Sequence, residues 1–159
     1  GEIAIRSICN FLGYWNNPEA TDAAITPDGW FRTGDLGYLD GDGYLFIVDR
    51  KKDIIIRGGE NISPAAVERQ LVGHEQVTDI VVLGLPDDRW GEIVAAVLRA
   101  DGDPTNVREA LVAQAESALA PYKVPSRWFV ADEFPVTPTG KVRKFALRDA
   151  ILRGEIREL

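Results

Sequence analysis

Short apolar runs separated by turn residues fill the first third of the chain, a pattern typical of β-strands. Residues 2–8 alternate, with Ile3 and Ile5 on one face, and predict an opening strand. Residues 36–39 and 44–48 form two further apolar runs around an Asp-Gly-Asp-Gly sequence, which is typical of a hairpin turn. The chain up to residue 48 is therefore predicted to be rich in β-structure.

The remainder of the chain alternates between strand and helix patterns. Apolar runs predict strands at 54–56, 61–62, 77–85, 93–98 and 127–131. Amphipathic stretches that follow Ser63-Pro64 and Asp103-Pro104, and a third over 144–153, predict helices. Residues 80–85 are continuously apolar apart from one glycine, so we expect their strand to be covered on both faces. We predict an α+β fold: a small β-rich subdomain followed by a compact mixed-sheet domain with about three helices.

Five consecutive charged residues, Asp49–Asp53, lie between two of the apolar runs. Strands do not run smoothly through such a charged stretch, so we predict a connector here with a strand on each side. The connector is also the best domain boundary, with one domain over 1–50 and the other over 51–159. On composition alone, a solvated surface loop and a hinge beside an anionic substrate both remain open.

Composition narrows the class of protein. The chain has 159 residues, 45% of them apolar, and a net charge of −7, which permits a packed core and disfavours nucleic-acid binding. No apolar run approaches the ~20 residues of a transmembrane helix. The chain has one cysteine, Cys9, and one histidine, which are too few ligands for a Cys/His metal site. These features fit a cytoplasmic protein, and homo-oligomerisation remains open.

Three polar positions have the chemistry of a phosphate or nucleotide site. Asp35, in a Thr-Gly-Asp-Leu-Gly sequence, is suited to accept hydrogen bonds from ribose hydroxyls. Arg50 has a guanidinium that can fork onto a phosphate. Lys141 leaves a Pro/Gly-rich loop over 135–140 and can neutralise charge on a phosphoryl group, although the pattern is not a Walker P-loop. Each of the three, taken alone, is better explained as an exposed turn or loop residue.

The order of the motifs is more specific than any one of them. The strings DGWFRTGDLG, DRKKDIIIRGGENISP and FPVTPTGKVRK follow one another along the chain. In this order they resemble the C-terminal part of the adenylate-forming enzymes, which include acyl-CoA synthetases, adenylation domains of peptide synthetases and firefly-type luciferases. The first two strings are most similar to acyl-CoA synthetases that act on fatty, aryl or alicyclic acids.

The resemblance implies a reaction in two steps. A carboxylate attacks the α-phosphate of ATP with Mg²⁺ and gives acyl-AMP and pyrophosphate, and the thiol of coenzyme A then displaces AMP. A small C-terminal domain rotates on a hinge between the steps. By resemblance, Asp35, Arg50 and Lys141 bind ATP or AMP, Lys141 is also the catalytic adenylation lysine, and Lys52 is the hinge residue.

The resemblance also implies a coenzyme A path lined by Gly58, Gly59 and Tyr122. It implies a larger N-terminal domain, absent here, that holds the acyl pocket and the Mg²⁺ site, so no metal ligand is assigned in this chain. Residues 1–50 are then the terminal β-subdomain of that domain, and 51–159 the mobile C-terminal domain. The fragment is expected to be inactive alone, and its partners are a small carboxylic acid, ATP, coenzyme A and its own N-terminal domain. Two alternatives are a domain that loads a carrier-protein thiol and a non-catalytic CoA-binding module.

Overall fold

The computed structural model describes residues 1–159. The chain divides into two compact units, Gly1–Lys52 and Asp53–Leu159. The division lies inside the predicted connector. That the first unit completes a larger domain and that the second unit moves remain predictions.

The first unit is a three-stranded antiparallel sheet with one short helix. Its elements are β1 (Glu2–Ile5), α1 (Pro18–Ala24), β2 (Phe31–Leu39) and β3 (Leu45–Arg50), and the strand order is β1-β2-β3. The predicted hairpin is confirmed, with Leu39 opposite Leu45. Asp40 stabilises its turn, because Oδ1 accepts hydrogen bonds from the backbone N–H groups of Asp42 (3.0 Å) and Tyr44 (2.9 Å).

Two predictions about the first unit are wrong. The opening strand ends at Ile5 instead of residue 8, because the Asn10 side chain donates to the Ile5 carbonyl and the chain turns there. Strand β3 continues to Arg50, into the charged stretch, since Leu36 and Asp35 of β2 lie opposite Asp49 and Arg50. The irregular connector is therefore only the single 3₁₀ turn Lys51–Asp53.

No residue of the first unit is buried, although many of its side chains are apolar. The β2–β3 hairpin alone exposes Tyr38, Leu39, Tyr44, Leu45, Phe46 and Ile47. Stacking of the Tyr38 and Phe46 rings, with centroids 5.2 Å apart, covers only part of this surface. A sheet without a packed face gains little from the hydrophobic effect, so the stability of the chain resides in the second unit.

The second unit is built around one six-stranded mixed sheet. Its elements are β4 (Ile55–Arg57), β5 (Glu60–Ile62), α2 (Pro64–Leu71), β6 (Val77–Asp87), β7 (Gly91–Ala100), α3 (Pro104–Ala118), β8 (Arg127–Val130), α4 (Lys144–Leu152) and β9 (Arg157–Glu158). Strand β7 is central, antiparallel to β6 and parallel to β8. The predicted α+β class and the order of the elements are confirmed, and β9 is an addition that was not predicted.

The two faces of the β6–β7 pair carry two separate apolar clusters. Ile80 and Val82 of β6 belong to the first cluster, together with the buried residues Val67, Leu71, Val107, Leu111 and Ala115 of α2 and α3. Val81, Leu83 and Leu85 belong to the second, together with Leu147 and Ile151 of α4. Alternate residues of one strand thus serve opposite faces, which confirms the prediction of a strand covered on both sides.

Two details of the second unit differ from the prediction. Strand β6 continues through Pro86, which was expected to end it, because β6 pairs only with β7 and has a free edge on its other side. A proline on an edge strand removes no hydrogen bond from the ladder. The apolar spacing of Val107, Leu111 and Ala115 along α3 predicts that Ala118 is buried as well, but Ala118, the last residue of the helix, is exposed.

The burial pattern predicts that the second unit folds alone. An excised chain of residues 53–159 should unfold cooperatively, with a midpoint within a few degrees of that of the whole chain. A peptide of residues 1–52 should lack protected backbone amides, because nothing in it is buried. Thermal unfolding by circular dichroism and hydrogen exchange by NMR measure the two outcomes. Slow amide exchange in the isolated 1–52 peptide would contradict this assignment of stability.

The Arg127–Glu158 pair predicts a pH dependence. Arg127 donates from Nε and Nη2 to the two carboxylate oxygens, at 2.7 and 2.6 Å, and so joins β8 to β9. These hydrogen bonds lower the pKa of Glu158 from its ordinary value. The stabilisation is therefore complete above the ordinary glutamate pKa of about 4.3 and is lost as the pH falls through the lower folded value.

Glu158→Gln should reduce the free energy of unfolding at pH 7 by less than ~1 kcal/mol, since the pair is solvent-screened. Urea titrations at pH 7 and pH 3 test this, and an equal difference at both pH values would contradict it.

Candidate functional site

Asp35 and Arg50 lie side by side on neighbouring strands. They are opposite each other in the β2–β3 ladder, and Arg50 Nε is 2.9 Å from Asp35 Oδ1. Thr33 fixes this part of β2, because its hydroxyl donates to the Ile3 carbonyl (2.8 Å) and accepts from the Asp35 N–H (3.1 Å). The structure thus brings together two residues that the sequence predicted for a nucleotide.

The Asp35–Arg50 pair is open to solvent, with side-chain exposures of 25% and 54%. A carboxylate accepts hydrogen bonds from vicinal hydroxyls, and a guanidinium donates to phosphate or ribose oxygens. The pair therefore offers an acceptor and a donor together, on rigid strands, to one polar ligand.

Lys52 lies in the 3₁₀ turn that separates the two units. Its side chain is exposed and makes no hydrogen bond or ion pair, whereas the neighbouring Lys51 donates to Glu2 Oε2 at 2.9 Å. The division between the units falls directly after Lys52. Few residues are available here to absorb a change of backbone angles, which is the usual property of a hinge.

Gly58 and Gly59 form the two-residue turn between β4 and β5. Arg57 pairs with Glu60 across the turn, and both glycines have positive φ, +58° and +89°. A type I′ turn requires this conformation at both central positions. A side chain at Gly58 would also meet Trp90, whose Cε3 lies 2.8 Å from the position of a Cβ atom, whereas the space beside Gly59 is open.

Trp90 is a candidate site residue that the sequence did not single out. It lies in the turn between β6 and β7, 38% exposed, with Arg57 and Arg89 over its ring at 5.0 and 4.8 Å from the ring centroid. Its carbonyl accepts from the Gly58 N–H at 2.8 Å. The sequence signal that could have identified Trp90 was a tryptophan directly after an arginine, between two predicted strands.

Arg57, Arg89 and Trp90 form a surface that we call the arginine–tryptophan platform. Guanidinium groups bind phosphates, and an indole ring offers a face for stacking a base. Arg57 Nη1 also lies 3.5 Å from the Tyr122 carbonyl, so Tyr122 borders the platform. The platform brings Gly58 and Tyr122, two of the residues predicted for coenzyme A, to the same place.

Lys141 is presented by a hydrogen-bonded loop. The Thr137 N–H donates to the Lys141 carbonyl (2.8 Å), the Lys141 N–H donates to Thr137 Oγ1 (3.1 Å), and Val136 bridges to Val142. The ammonium group of Lys141 is exposed and makes no hydrogen bond or ion pair. No hydrogen bond joins this loop to the Gly58–Gly59 turn or to Tyr122.

The chain holds no group of three or more His, Cys, Asp or Glu side chains placed to bind a metal ion. Its helices are also too short and too polar for any of them to cross a membrane.

Comparison with known proteins defines the class. Residues 66–141 match the family model of the AMP-binding enzyme C-terminal domain. The resemblance of this chain to the C-terminal part of the adenylate-forming enzymes is thereby confirmed.

Three similar proteins are named as CoA ligases or CoA synthases. The chain is 46% identical over 149 residues to the long-chain-fatty-acid–CoA ligase FadD13 of Mycobacterium tuberculosis, covering 94% of this chain and 29% of that protein. It is 46% identical over 158 residues to the feruloyl-CoA synthase of Amycolatopsis sp., covering 99% and 30%. The solved structure of o-succinylbenzoate CoA synthetase (MenE) from Bacillus subtilis with its acyl-adenylate intermediate superposes with a TM-score of 0.84 at 38% identity, over 94% of this chain and 30% of that one. The chain thus spans about 30% of the length of these proteins.

The contact with Trp90 predicts different costs at the two glycines. Gly58→Ala and Gly59→Ala each force a non-glycine residue into positive φ, at about 1–2 kcal/mol. Only Gly58→Ala also overlaps the Trp90 ring, which should add about 1–3 kcal/mol. Urea unfolding of the two variants measures the difference, with Gly59→Ala as the matched control. Equal destabilisation would show that Trp90 does not restrict Gly58.

Proposed function

We propose that this chain is the C-terminal part of an ATP-dependent acyl-CoA ligase, which converts a carboxylic acid, ATP and coenzyme A into acyl-CoA, AMP and pyrophosphate. The observation that carries the proposal is the Asp35–Arg50 pair, 2.9 Å apart and open to solvent, in a chain whose relatives are ligases of this kind. The chain supplies the nucleotide pair, the hinge, the adenylation lysine and part of the coenzyme A path.

In the first half-reaction the carboxylate attacks the α-phosphate of ATP and pyrophosphate leaves. Asp35 accepts hydrogen bonds from the ribose hydroxyls, and Arg50 donates to oxygens of the nucleotide. Lys141 neutralises the charge that develops on the α-phosphate, an interaction that is stronger in the transition state than in the ground state. Mg²⁺ would screen the phosphates of ATP when bound, and its ligands are expected in the N-terminal domain.

In the second half-reaction the thiol of coenzyme A attacks the acyl carbonyl and AMP leaves. The turn at Gly58 and Gly59 lies close to the pantetheine arm, since it projects no side chain. The arginine–tryptophan platform and Tyr122 receive the nucleotide end of coenzyme A, with Arg57 and Arg89 at its phosphates and Trp90 against its base. Rotation of the second unit about Lys52 switches the protein from the arrangement for the first half-reaction to the arrangement for the second.

The platform favours coenzyme A over a carrier-protein thiol as the acceptor. A carrier protein presents only phosphopantetheine, whereas coenzyme A adds a phosphorylated adenosine, the part that cations and an aromatic ring recognise. A non-catalytic CoA-binding module would make no use of the unpaired Lys141 ammonium. The other expected partners are the protein's own N-terminal domain and the small carboxylic acid, and the proposed location is the cytoplasm.

A chimaera tests the proposal. This chain should replace the matching part of FadD13, and the purified protein should receive ATP and a long-chain fatty acid. We expect pyrophosphate release without coenzyme A, and acyl-CoA only when coenzyme A is added. A phosphopantetheinylated carrier in place of coenzyme A should yield no thioester. Binding of coenzyme A without pyrophosphate release would favour the non-catalytic module instead.

Lys141 should matter for only one half-reaction. In the chimaera, Lys141→Ala should reduce pyrophosphate release about 10²–10³-fold, the usual cost of removing one electrostatic catalytic group. Thioester formation from supplied acyl-adenylate should stay within a factor of about two, because no hydrogen bond or ion pair joins Lys141 to the platform or to the Gly58 turn. Arg143→Ala, on the same loop, is the control. An equal loss in both half-reactions would contradict the assignment.

A further inference from the structure

An ion pair crosses the free edge of the central sheet. Glu68 of α2 and Lys144 of α4 come from helices that cover opposite faces of the sheet, and Lys144 Nζ lies 2.7 Å from Glu68 Oε1. Both side chains are mostly buried, with exposures of 22% and 23%. Little water therefore screens the pair, and it joins the two layers directly.

The same two side chains also satisfy the backbone of β6. The Val82 N–H donates to Glu68 Oε1 at 2.7 Å, and Lys144 Nζ donates to the Val82 carbonyl at 3.0 Å. Val82 lies on the edge that no other strand pairs. The three groups form one closed unit, which we call the edge clamp.

The start of α4 is held by the edge clamp and has no side-chain cap. The N-cap residue, Arg143, makes no side-chain capping bond. Lysine at the first helical position is also unfavourable, because the N-terminus of a helix carries partial positive charge. Lys144 therefore gains its stability from Glu68 and Val82 and not from the helix, and these contacts fix where α4 begins.

The start of α4 is also the end of the loop that carries Lys141. The Arg143 N–H donates to the Pro135 carbonyl at 2.7 Å and closes the base of the loop. The internal hydrogen bonds of the loop set its shape, and Phe134 and Val142, at its two ends, pack against the second apolar cluster. Lys144, three positions after Lys141, adds the polar attachment to the backbone of β6.

We propose that Lys144 and Glu68 are positioning residues, which place the Lys141 ammonium for the adenylation half-reaction by anchoring its loop to the edge of β6. This inference rests on the proposed function. Neither side chain acts on the substrate, since Lys144 is engaged by Glu68 and Val82. A displacement of a catalytic group by about 1 Å can cost on the order of 10²-fold in rate, so the anchor matters for catalysis.

A second ion pair on α4 provides the matched control. Arg148 lies one turn beyond Lys144, and its Nη1 is 3.1 Å from Glu92 Oε1. Glu92 Oε2 also accepts from a strand backbone, the Ile56 N–H of β4, at 2.9 Å. This pair has the same chemistry on the same helix, but it anchors β4 and not the loop.

The first measurement needs no activity. In the 159-residue chain, ¹⁵N order parameters of the Lys141 and Arg143 amides should fall from about 0.85 toward 0.6 in Lys144→Met and in Glu68→Gln. They should stay unchanged in Arg148→Gln, and Lys144→Arg should restore them, because a guanidinium can donate to both Glu68 and Val82. Unchanged order parameters in Lys144→Met would overturn the proposal. If that variant does not fold, Glu68→Gln decides, because it keeps an acceptor for the Val82 N–H.

The second measurement uses the full-length protein that contains this chain. Lys144→Met should lower pyrophosphate release about 100-fold and leave thioester formation from supplied acyl-adenylate unchanged. Arg148→Gln should leave pyrophosphate release at the parent rate. A loose loop with normal pyrophosphate release, or an equal loss of both half-reactions, would overturn the positioning role. A parent protein that releases no pyrophosphate contradicts the proposed function, and the anchoring claim is then decided by the order parameters alone.

Discussion

The antiparallel pairing of β6 with β7 is the constraint on which the second unit depends. The two strands pair from Val77 opposite Ala100 to Asp87 opposite Gly91. Because successive side chains point to opposite faces, one strand pair supplies both apolar clusters, and helices must cover both sides. The turn that joins the strands carries Trp90, and the free edge of β6 carries the edge clamp. The hydrophobic core thus determines where the polar chemistry can lie.

The candidate functional groups of the second unit are all at the periphery of this core. The arginine–tryptophan platform and the Gly58–Gly59 turn lie where β4 meets the start of β7. The Lys141 loop precedes α4, and the edge clamp holds that helix to the opposite layer. In the first unit, the Asp35–Arg50 pair depends on strand register instead of burial. Strands and the short turns that join them thus hold most of the groups proposed to bind, while a loop anchored by an ion pair holds the group proposed to react.

Local sequence patterns predicted most of the fold but not the contacts between distant residues. The run at 80–85 predicted a doubly covered strand, and Ser63-Pro64 predicted a helix start, because these signals are local. The extension of β3 to Arg50 and the continuation of β6 through Pro86 depend on which strands are neighbours. A single sequence does not show which strands pair. The pairing of Glu68 with Lys144, 76 positions apart, could not be predicted from the sequence for the same reason. The nucleotide and coenzyme A residues came from the resemblance of ordered motifs, and the geometry added Trp90 and its two arginines.

The central claim is that this chain contributes to the formation of an acyl-adenylate. Exchange of labelled pyrophosphate into ATP tests it most directly, because exchange requires a reversible adenylation step and needs no coenzyme A. In the chimaera with FadD13, the account predicts exchange that depends on the carboxylic acid and proceeds in the absence of coenzyme A. Exchange that requires coenzyme A, or that proceeds equally well without any acid, would contradict it.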